Sequence, residues 1–188
     1  MPKILKDIEE TIKKCAMELF IDYGYDQVDM KMISKKSGVA VGTLYNYYAN
    51  KKSLYTIILE ESWENTFHKL DEVNKLNISS KEKLKKFITA LYEEIEARKG
   101  LGKALVNNPI AALQEDEIMI KLKSSLISRL EALLNKTDLL ISCSNIETRL
   151  TVTLLTSVTT MLELYPSNKE DNIDFLVQLI SLSIQDDL

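Results

Sequence analysis

Hydroxyl, amide and ammonium groups are concentrated between residues 38 and 52 of this chain. Tyr45, Asn46 and Tyr47 follow one another, and two lysines come a few positions later. Tyrosine hydroxyls and asparagine amides bind phosphates and the edges of bases, whereas ammonium groups neutralise phosphates. The combination predicts a surface that binds nucleic acid.

An anion site is predicted where the next helix begins. Asn50 can cap that helix, and Lys51 and Lys52 fall in its first turn, so backbone N–H groups and two cations converge on one point. Lysines in the first turn interact unfavourably with the positive end of the helix dipole, and a bound polyanion offsets this repulsion. We therefore expect Lys51 and Lys52 to contact phosphate.

The same stretch has the pattern of a helix-turn-helix. Gly38 can adopt the positive φ that reverses the chain between two short helices. In the second of these helices, Leu44 and Tyr48 lie four residues apart and point inward together. That helix is too short to be stable alone, so neighbouring helices must hold it while one face stays available for binding.

The first sixty or so residues resemble the DNA-binding domain of the TetR family of transcriptional regulators. The matching residues stand at fixed offsets: Ile12, Ala16, Leu19, Phe20, Gly24, Tyr25, Ile33, Gly38, Val39, Gly42, Thr43, Leu44, Tyr45, Tyr48, Lys51 and Leu54. We expect the recognition surface to comprise Val41, Gly42, Thr43, Tyr45 and Asn46. We expect the phosphate contacts to come from Lys31, Tyr47, Lys51 and Lys52.

Three positions depart from the family pattern. Ala40 stands where members usually have Ser, so the recognition helix lacks a side-chain N-cap that contributes ~1 kcal/mol. Val41 replaces the Lys or Arg of many relatives, and Tyr47 replaces a frequent His. These departures leave the DNA-binding role intact, but the operator sequence cannot be transferred by analogy.

The distribution of charge supports contact with DNA at one end of the molecule. The whole chain carries a net charge of −4. Its first 56 residues hold nine lysines against seven acidic residues, and within residues 27–56 five lysines face only Asp29. The remaining residues carry a net −6. A small basic head on an acidic body is typical of a regulator that touches DNA at one end only.

Composition favours an all-α fold. Five glycines and three prolines among 188 residues favour long helices, and no alternating strand pattern or glycine hairpin occurs. We expect about nine helices, the number that the resemblance implies. Residues 1–50 are assigned to the helix-turn-helix DNA-binding domain, with the start of a connecting helix to about residue 60. Residues 51–188 are assigned to a helical effector-binding and dimerisation domain.

Several helix ends are predicted from single residues. The first helix should end at Gly24, and Asp29 should cap the second. Pro109 breaks a short segment, after which a long helix extends from about Ile118 to Leu133. Three Ser-x-x-Glu capping boxes mark further helix starts: Ser79 with Glu82, Ser144 with Glu147, and Ser167 with Glu170.

The last two helices are the predicted dimer interface, because their apolar residues cover more than one side and such a helix needs a second partner. The resemblance places a two-fold four-helix bundle here, with two helices from each subunit. The alternative is that both faces are covered within one chain. The predicted interface residues are Leu155, Val158, Leu162, Leu176, Leu179 and Ile180.

The resemblance also implies a cavity for a small-molecule effector in the middle of the body. An aromatic stripe at helical spacing is often plain core, and that alternative stays open. The candidate lining residues are Trp63, Phe67, Phe87, Leu91, Tyr92 and Ile95. Glu93, Glu94 and Glu96 are expected to form a solvated face, although one of them could turn inward towards a cationic effector.

Other classes of function have less support. The chain has a single histidine, no cysteine–histidine metal spacing and no phosphate loop, so we expect no enzyme, no metal site and no cofactor. A helical protein-binding adaptor is the remaining alternative, but it leaves the basic head unexplained. The preferred interpretation is a homodimeric repressor that binds an inverted-repeat operator in double-stranded DNA and is released by an unknown small molecule.

The sequence also indicates the compartment. No apolar run approaches the ~20 residues of a membrane span, and the first ten residues are charged and amphipathic, unlike a signal peptide. We therefore expect a cytoplasmic protein with no membrane partner. Cys15 and Cys143 are far apart in sequence and are expected to be reduced thiols, with a redox switch as the alternative.

Overall fold

A computed structural model describes the chain over four ranges, residues 2–98, 101, 117–134 and 143–182. Every regular element in these ranges is an α-helix, which confirms the all-α prediction. They contain eight helices: α1 (Pro2–Tyr23), α2 (Met30–Ser37), α3 (Val41–Tyr47), α4 (Lys51–Lys75), α5 (Ser80–Ala97), α6 (Glu117–Leu133), α7 (Ile146–Leu164) and α8 (Lys169–Ser181). The predicted short segment at Pro109 lies outside the described residues.

The predicted helix ends of the N-terminal region are confirmed. Gly24 follows α1 with φ 78° and Gly38 follows α2 with φ 70°, a left-handed conformation that glycine adopts without steric cost. Asp29 caps α2, because its Oδ1 accepts a hydrogen bond from the Met32 amide at 2.8 Å. These residues fix where the chain reverses before α2 and again before α3.

The described residues form two compact units. The first comprises the described residues up to Ser62 together with Leu101, and the second comprises Trp63–Arg98 and the described residues from 117 onwards. The division falls within α4, so one continuous helix of 25 residues contributes to both units.

The core of the first unit is built from one face of each of its helices. Helix α1 packs against α2, and α2 packs against α3. The buried apolar residues include Ile12, Ala16, Leu19, Phe20, Met30, Ile33, Leu44, Tyr48, Leu54 and Ile58. Because α3 is held through this core, its opposite face remains exposed.

In the second unit, α5 contacts α6, α7 and α8. A buried amide fastens α8 to this arrangement: Asn172 Nδ2 donates to the Tyr92 hydroxyl and to the Tyr165 carbonyl, each at 2.9 Å. The apolar stripe of α5 is buried, and it consists of Leu84, Phe87, Ile88, Leu91, Tyr92 and Ile95. Among the described helices, none has the combination of length and apolarity that crossing a membrane requires.

The predicted capping box at the start of α5 is confirmed. The Glu82 amide donates to Ser79 Oγ at 3.3 Å, and the Ser79 amide donates back to the Glu82 carboxylate at 3.2 Å. The backbone amides of Ser79 and Glu82 are therefore both satisfied by side chains.

The other two predicted capping boxes are wrong. Helix α7 begins after Asn145, and α8 begins after Asn168, so each helix starts one residue later than the box requires. The glutamate of each box then occupies the second helical position, whereas its return bond to the N-cap needs the third. Neither asparagine makes a side-chain cap bond to the backbone. The two predicted boxes that the structure contradicts are Ser144 with Glu147 and Ser167 with Glu170.

Candidate nucleic-acid interface

Helix α3 and the residue that follows it have one buried side and one exposed side. Leu44 is fully buried and Tyr48 is 3% exposed, whereas Tyr45 is 50% exposed and Asn46 is also exposed. The inward direction predicted for Leu44 and Tyr48 is thus confirmed. One turn of helix therefore presents a phenol and an amide outward from a fixed backbone.

The rest of the predicted recognition surface lies beside these two residues on α3. Gly42 is exposed, and a Cβ built on it would meet no atom within 4 Å. Val41, Thr43 and Tyr47 are half-buried. The protomer's own packing therefore does not require a glycine at position 42.

Serine side chains hold the turn between α2 and α3. Ser34 Oγ donates to the Val39 carbonyl at 2.6 Å, and Ser37 Oγ donates to the Ile33 carbonyl at 2.8 Å. Ala40 precedes α3 and gives it no side-chain cap, as predicted. The orientation of α3 therefore depends on this turn and on its buried residues.

Tyr48 anchors the end of α3 to α1. Its hydroxyl donates to Glu9 Oε1 at 3.5 Å. Burial, together with the negative charge of Glu9, raises the pKa of Tyr48 well above its ordinary value, so the phenol stays protonated.

The predicted cap of α4 is confirmed. The Ser53 amide donates to Asn50 Oδ1 at 2.8 Å, and the Asn50 amide donates to Ser53 Oγ at 3.2 Å. Two of the backbone donors at this end of α4 and its loop are therefore already bound to side chains.

Lys52 is half-buried, and Lys31 on α2 is exposed.

Lys51 binds the turn that follows α1. Its Nζ donates to the Tyr25 carbonyl at 2.7 Å and lies 4.2 Å from the centroid of the Tyr25 ring. Tyr25 in turn packs edge-on against Tyr55 with 4.8 Å between centroids, and Tyr55 donates to the Leu101 carbonyl at 3.2 Å. The sequence analysis did not predict the contact between Lys51 and Tyr25. Tyr25 matches the family pattern, and this match was the one sequence feature that could have indicated a role for it.

Ion pairs occupy further charged groups of the first unit. Lys36 Nζ lies 3.0 Å from Glu18 Oε2, and the hydrogen bond to that carboxylate raises the pKa of Lys36. Lys13 is similarly paired with Glu61 at 2.6 Å. The three lysines of α2, which are Lys31, Lys35 and Lys36, are all exposed.

The six predicted effector residues all belong to the second unit. Phe67 is half-buried, and the other five are at most 5% exposed: Trp63, Phe87, Leu91, Tyr92 and Ile95. An open groove of about 620 Å³ lies between α4 and α5, but it is lined by other residues, among them Val73, Leu76, Lys86 and Thr89.

The predicted dimer interface needs correction. Four of its residues are no more than 4% exposed within the protomer and so cannot form a contact surface: Leu155, Val158, Leu176 and Ile180. Leu162 is half-buried, and Leu179 is 39% exposed. The exposed apolar residues of the same two helices and their ends are Val152, Leu164, Phe175, Leu179 and Leu182. The sequence indicates that α7 and α8 carry more apolar residues than one buried face needs. It does not indicate which of these residues face the core and which face outward.

Comparison with known proteins agrees with this geometry. Residues 12–56 match the family model described as bacterial regulatory proteins, tetR family. The chain is 27% identical over 134 residues to the uncharacterized HTH-type transcriptional regulator YuxN of Bacillus subtilis (strain 168), covering 70% of this chain and 46% of that protein. It is 31% identical over 83 residues to the fatty acid metabolism regulator protein of the same organism, covering 44% and 40%. The chain thus spans less than half the length of these two curated relatives.

Comparison with solved structures shows which proteins share the fold of this chain. The transcriptional regulator FadR from Bacillus subtilis, solved in complex with stearoyl-CoA, superposes with a TM-score of 0.73 at 19% identity, covering 89% of this chain and 97% of that one. The matched helix-turn-helix, its exposed α3 and this shared fold lead to one assignment. Residues 12–56 are a match to the tetR family of bacterial regulatory proteins, and the chain shares the fold of solved regulators.

Proposed function

We propose that this chain is a transcriptional regulator that reads double-stranded DNA with α3. One observation carries the proposal: Tyr45 and Asn46 are exposed on a helix that Leu44 and Tyr48 fix to the core. Hydrogen-bonding groups on a rigid element can enter the major groove and contact base edges. The family match supports the same use of this helix.

We further propose that Lys31, Tyr47, Lys51 and Lys52 contact phosphates on either side of the recognition surface. Lys31 is exposed and can reach a phosphate without losing an internal contact. Lys51 differs, because its ammonium already binds the Tyr25 carbonyl. Its proposed role therefore combines a phosphate contact with support of the turn.

The chain is proposed to act as a homodimer. On α8, Phe175, Leu179 and Leu182 form an exposed apolar stripe on the side opposite the buried Ile173 and Leu176. A helix that is apolar on both sides needs a partner for its outer side. We propose that a second copy covers this stripe together with Val152 of α7, and that the operator is consequently an inverted repeat.

Release of the operator is proposed to follow binding of a small molecule in the second unit, as expected for a repressor. Because a solved relative holds stearoyl-CoA, long-chain acyl compounds are the first ligands to test. Helix α4 carries the proposed phosphate residue Lys51 and the proposed pocket residue Trp63. A ligand that displaces α4 near Trp63 can therefore change the position of Lys51. A ~100-fold loss of DNA affinity needs only about 2.7 kcal/mol of differential binding. No catalytic activity is proposed.

A gel shift with bulk duplex DNA at low salt separates this function from that of a protein-binding adaptor. A regulator of this kind binds bulk DNA through its lysines, and the binding weakens steeply as salt increases. Absence of any shift at low salt would favour the adaptor.

A further inference from the structure

Three aromatic rings of the first unit pack together beside the start of α4. The centroid of the Tyr55 ring lies 5.0 Å from that of Phe20 and 4.8 Å from that of Tyr25, edge-on in both cases. Phe20 belongs to α1, Tyr25 follows α1, and Tyr55 lies on α4. The cluster therefore joins the turn after α1 to the first turns of α4.

The Tyr25 residue also holds Lys51. The Lys51 Nζ lies 4.2 Å from the centroid of the Tyr25 ring and donates to the Tyr25 carbonyl at 2.7 Å. Lys51 and Tyr55 are four residues apart, so they lie on the same face of α4, and the Tyr25 ring contacts both side chains. Two groups of one residue therefore fix the position of the ammonium.

The fixed ammonium can still bind a phosphate. A lysine ammonium has three N–H donors. One donates to the Tyr25 carbonyl at 2.7 Å, and another lies 3.5 Å from the Asp26 carbonyl, the limit for a hydrogen bond. Within the part of the chain that the structure describes, a third donor remains for a phosphate oxygen. Because the side chain is already ordered, it loses little conformational freedom when it binds.

A residue from further along the chain anchors the aromatic cluster. Leu101 follows α5 in sequence but belongs to the first unit, where it is 2% exposed. Its carbonyl accepts a hydrogen bond from the Tyr55 hydroxyl at 3.2 Å. Burial raises the pKa of Tyr55 to about 12, so the hydroxyl remains a donor at neutral pH. This bond fixes the ring against which Tyr25 packs.

We propose that Tyr25 and Tyr55 are positioning residues for DNA binding, which hold the Lys51 ammonium where it meets a backbone phosphate. Tyr25 acts directly through its ring and carbonyl, and Tyr55 acts through Tyr25. The bond to Leu101 makes this phosphate contact depend on a residue beyond the N-terminal helices. The inference rests on the proposed function, because it presumes that Lys51 contacts phosphate.

The test is a double-mutant cycle on the full-length chain, read by fluorescence anisotropy of a labelled random-sequence duplex. Tyr25→Leu should lower affinity about fivefold, because the released ammonium must be ordered again on binding. Tyr55→Phe removes only the hydroxyl and should lower affinity about threefold. In a chain that carries Lys51→Ala, each change should alter affinity less than about twofold, because the side chain that it positions is absent.

Two further variants serve as controls, and melting curves establish the temperature at which every variant is folded. Tyr25→Phe keeps the ring over Lys51 and should retain the affinity of the unmodified protein. Tyr23→Leu is the matched control, since it removes an exposed phenol two residues away. An equal loss in Tyr23→Leu would overturn the inference. Losses of the same size with and without Lys51 would overturn it as well, because they would show a general effect on the first unit.

The failures of the inference and of the proposed function are distinguishable. Absence of DNA binding by the unmodified protein rejects the regulator and the inference together. An unchanged salt slope in Lys51→Ala rejects the phosphate contact and therefore its positioning. A reduced slope in Lys51→Ala, combined with full affinity in Tyr25→Leu and Tyr55→Phe, rejects the positioning alone. If Tyr25→Leu does not fold, Tyr55→Phe with and without Lys51 decides the result.

Discussion

Adjacent residues of α3 have opposite environments, and this local contrast is the basis of the proposed DNA contact. Leu44 is fully buried, whereas Tyr45 is half exposed. A side chain that reads bases must be accessible, but its backbone must also be fixed so that little order is lost on binding. The buried neighbour provides that fixation. The outcome of a substitution in α3 should therefore depend on the face that it alters.

Gly42→Ala tests whether DNA approaches the backbone of α3 closely. The protomer has room for the added methyl group, and alanine is the better helix former by up to ~1 kcal/mol, so stability should be unchanged or higher. DNA affinity should nevertheless fall about tenfold, because the methyl group occupies space that the DNA backbone needs. Thermal unfolding followed by circular dichroism and fluorescence anisotropy with labelled duplex measure the two effects. Unchanged DNA affinity would exclude close approach at this position.

Lys31→Ala and Lys51→Ala should have different consequences. Removing Lys31 should weaken binding to all sequences alike and reduce the salt slope by about one unit, with little effect on stability. Removing Lys51 should also lower stability by about 1 kcal/mol, because a cation–π contact and a hydrogen bond to the Tyr25 carbonyl are lost. Salt titrations and melting curves of both variants provide the comparison. A Lys51→Ala protein with the parent's salt slope would show that this lysine has only the structural role.

The two sides of helix α8 have different environments. Ile173, Leu176 and Ile180 are buried on one side, and Phe175 and Leu179 are exposed on the other. The inner side is covered within the protomer, where α8 packs against α5 and α7. The outer side has no cover in the described part of the single chain, so a second copy is the proposed occupant.

Leu179→Glu should produce a monomer, because the charge would be buried in the proposed interface. Gln178→Glu is the matched control, since it adds the same charge at an exposed neighbouring position and should leave the dimer intact. Analytical ultracentrifugation distinguishes the two states. A dimer that persists in Leu179→Glu would remove this stripe from the interface. The buried Leu155 is unsuitable for this test, because a charge there would unfold the protomer.

The sequence allowed the N-terminal helices to be predicted more completely than the body. Asp29, Gly38 and Asn50 act through backbone conformation and caps within a few residues, so local chemistry determines them. The starts of α7 and α8 were misplaced by one residue, because each Ser is followed by an Asn and the pattern alone does not decide between them. The contacts of Arg98 with the Trp63 ring and of Arg129 with the Phe67 ring join segments that are distant in sequence, and they have no local pattern. Side-chain contacts between distant segments depend on tertiary packing, which periodicity does not specify.

At the scale of the whole molecule, the proposed homodimer, with two identical heads held by a two-fold interface, would impose a geometry on the operator. Their recognition helices should contact half-sites whose centres are about 34 to 36 Å apart, or a larger multiple of the DNA turn. Each half-site alone should bind weakly, because the second contact gains from effective concentration. The monomeric Leu179→Glu variant should consequently lose most of its operator affinity while each head remains folded.

The most direct test of the central claim is selection of DNA by the purified protein from a random duplex pool, followed by sequencing. The account predicts enrichment of one inverted repeat, with half-site centres about one or more helical turns apart. Variants with Tyr45→Phe or Asn46→Ala should select a changed half-site, because these residues are proposed to contact base edges. Enrichment of no sequence, or of the same sequence by the parent and both variants, would contradict recognition of DNA by α3.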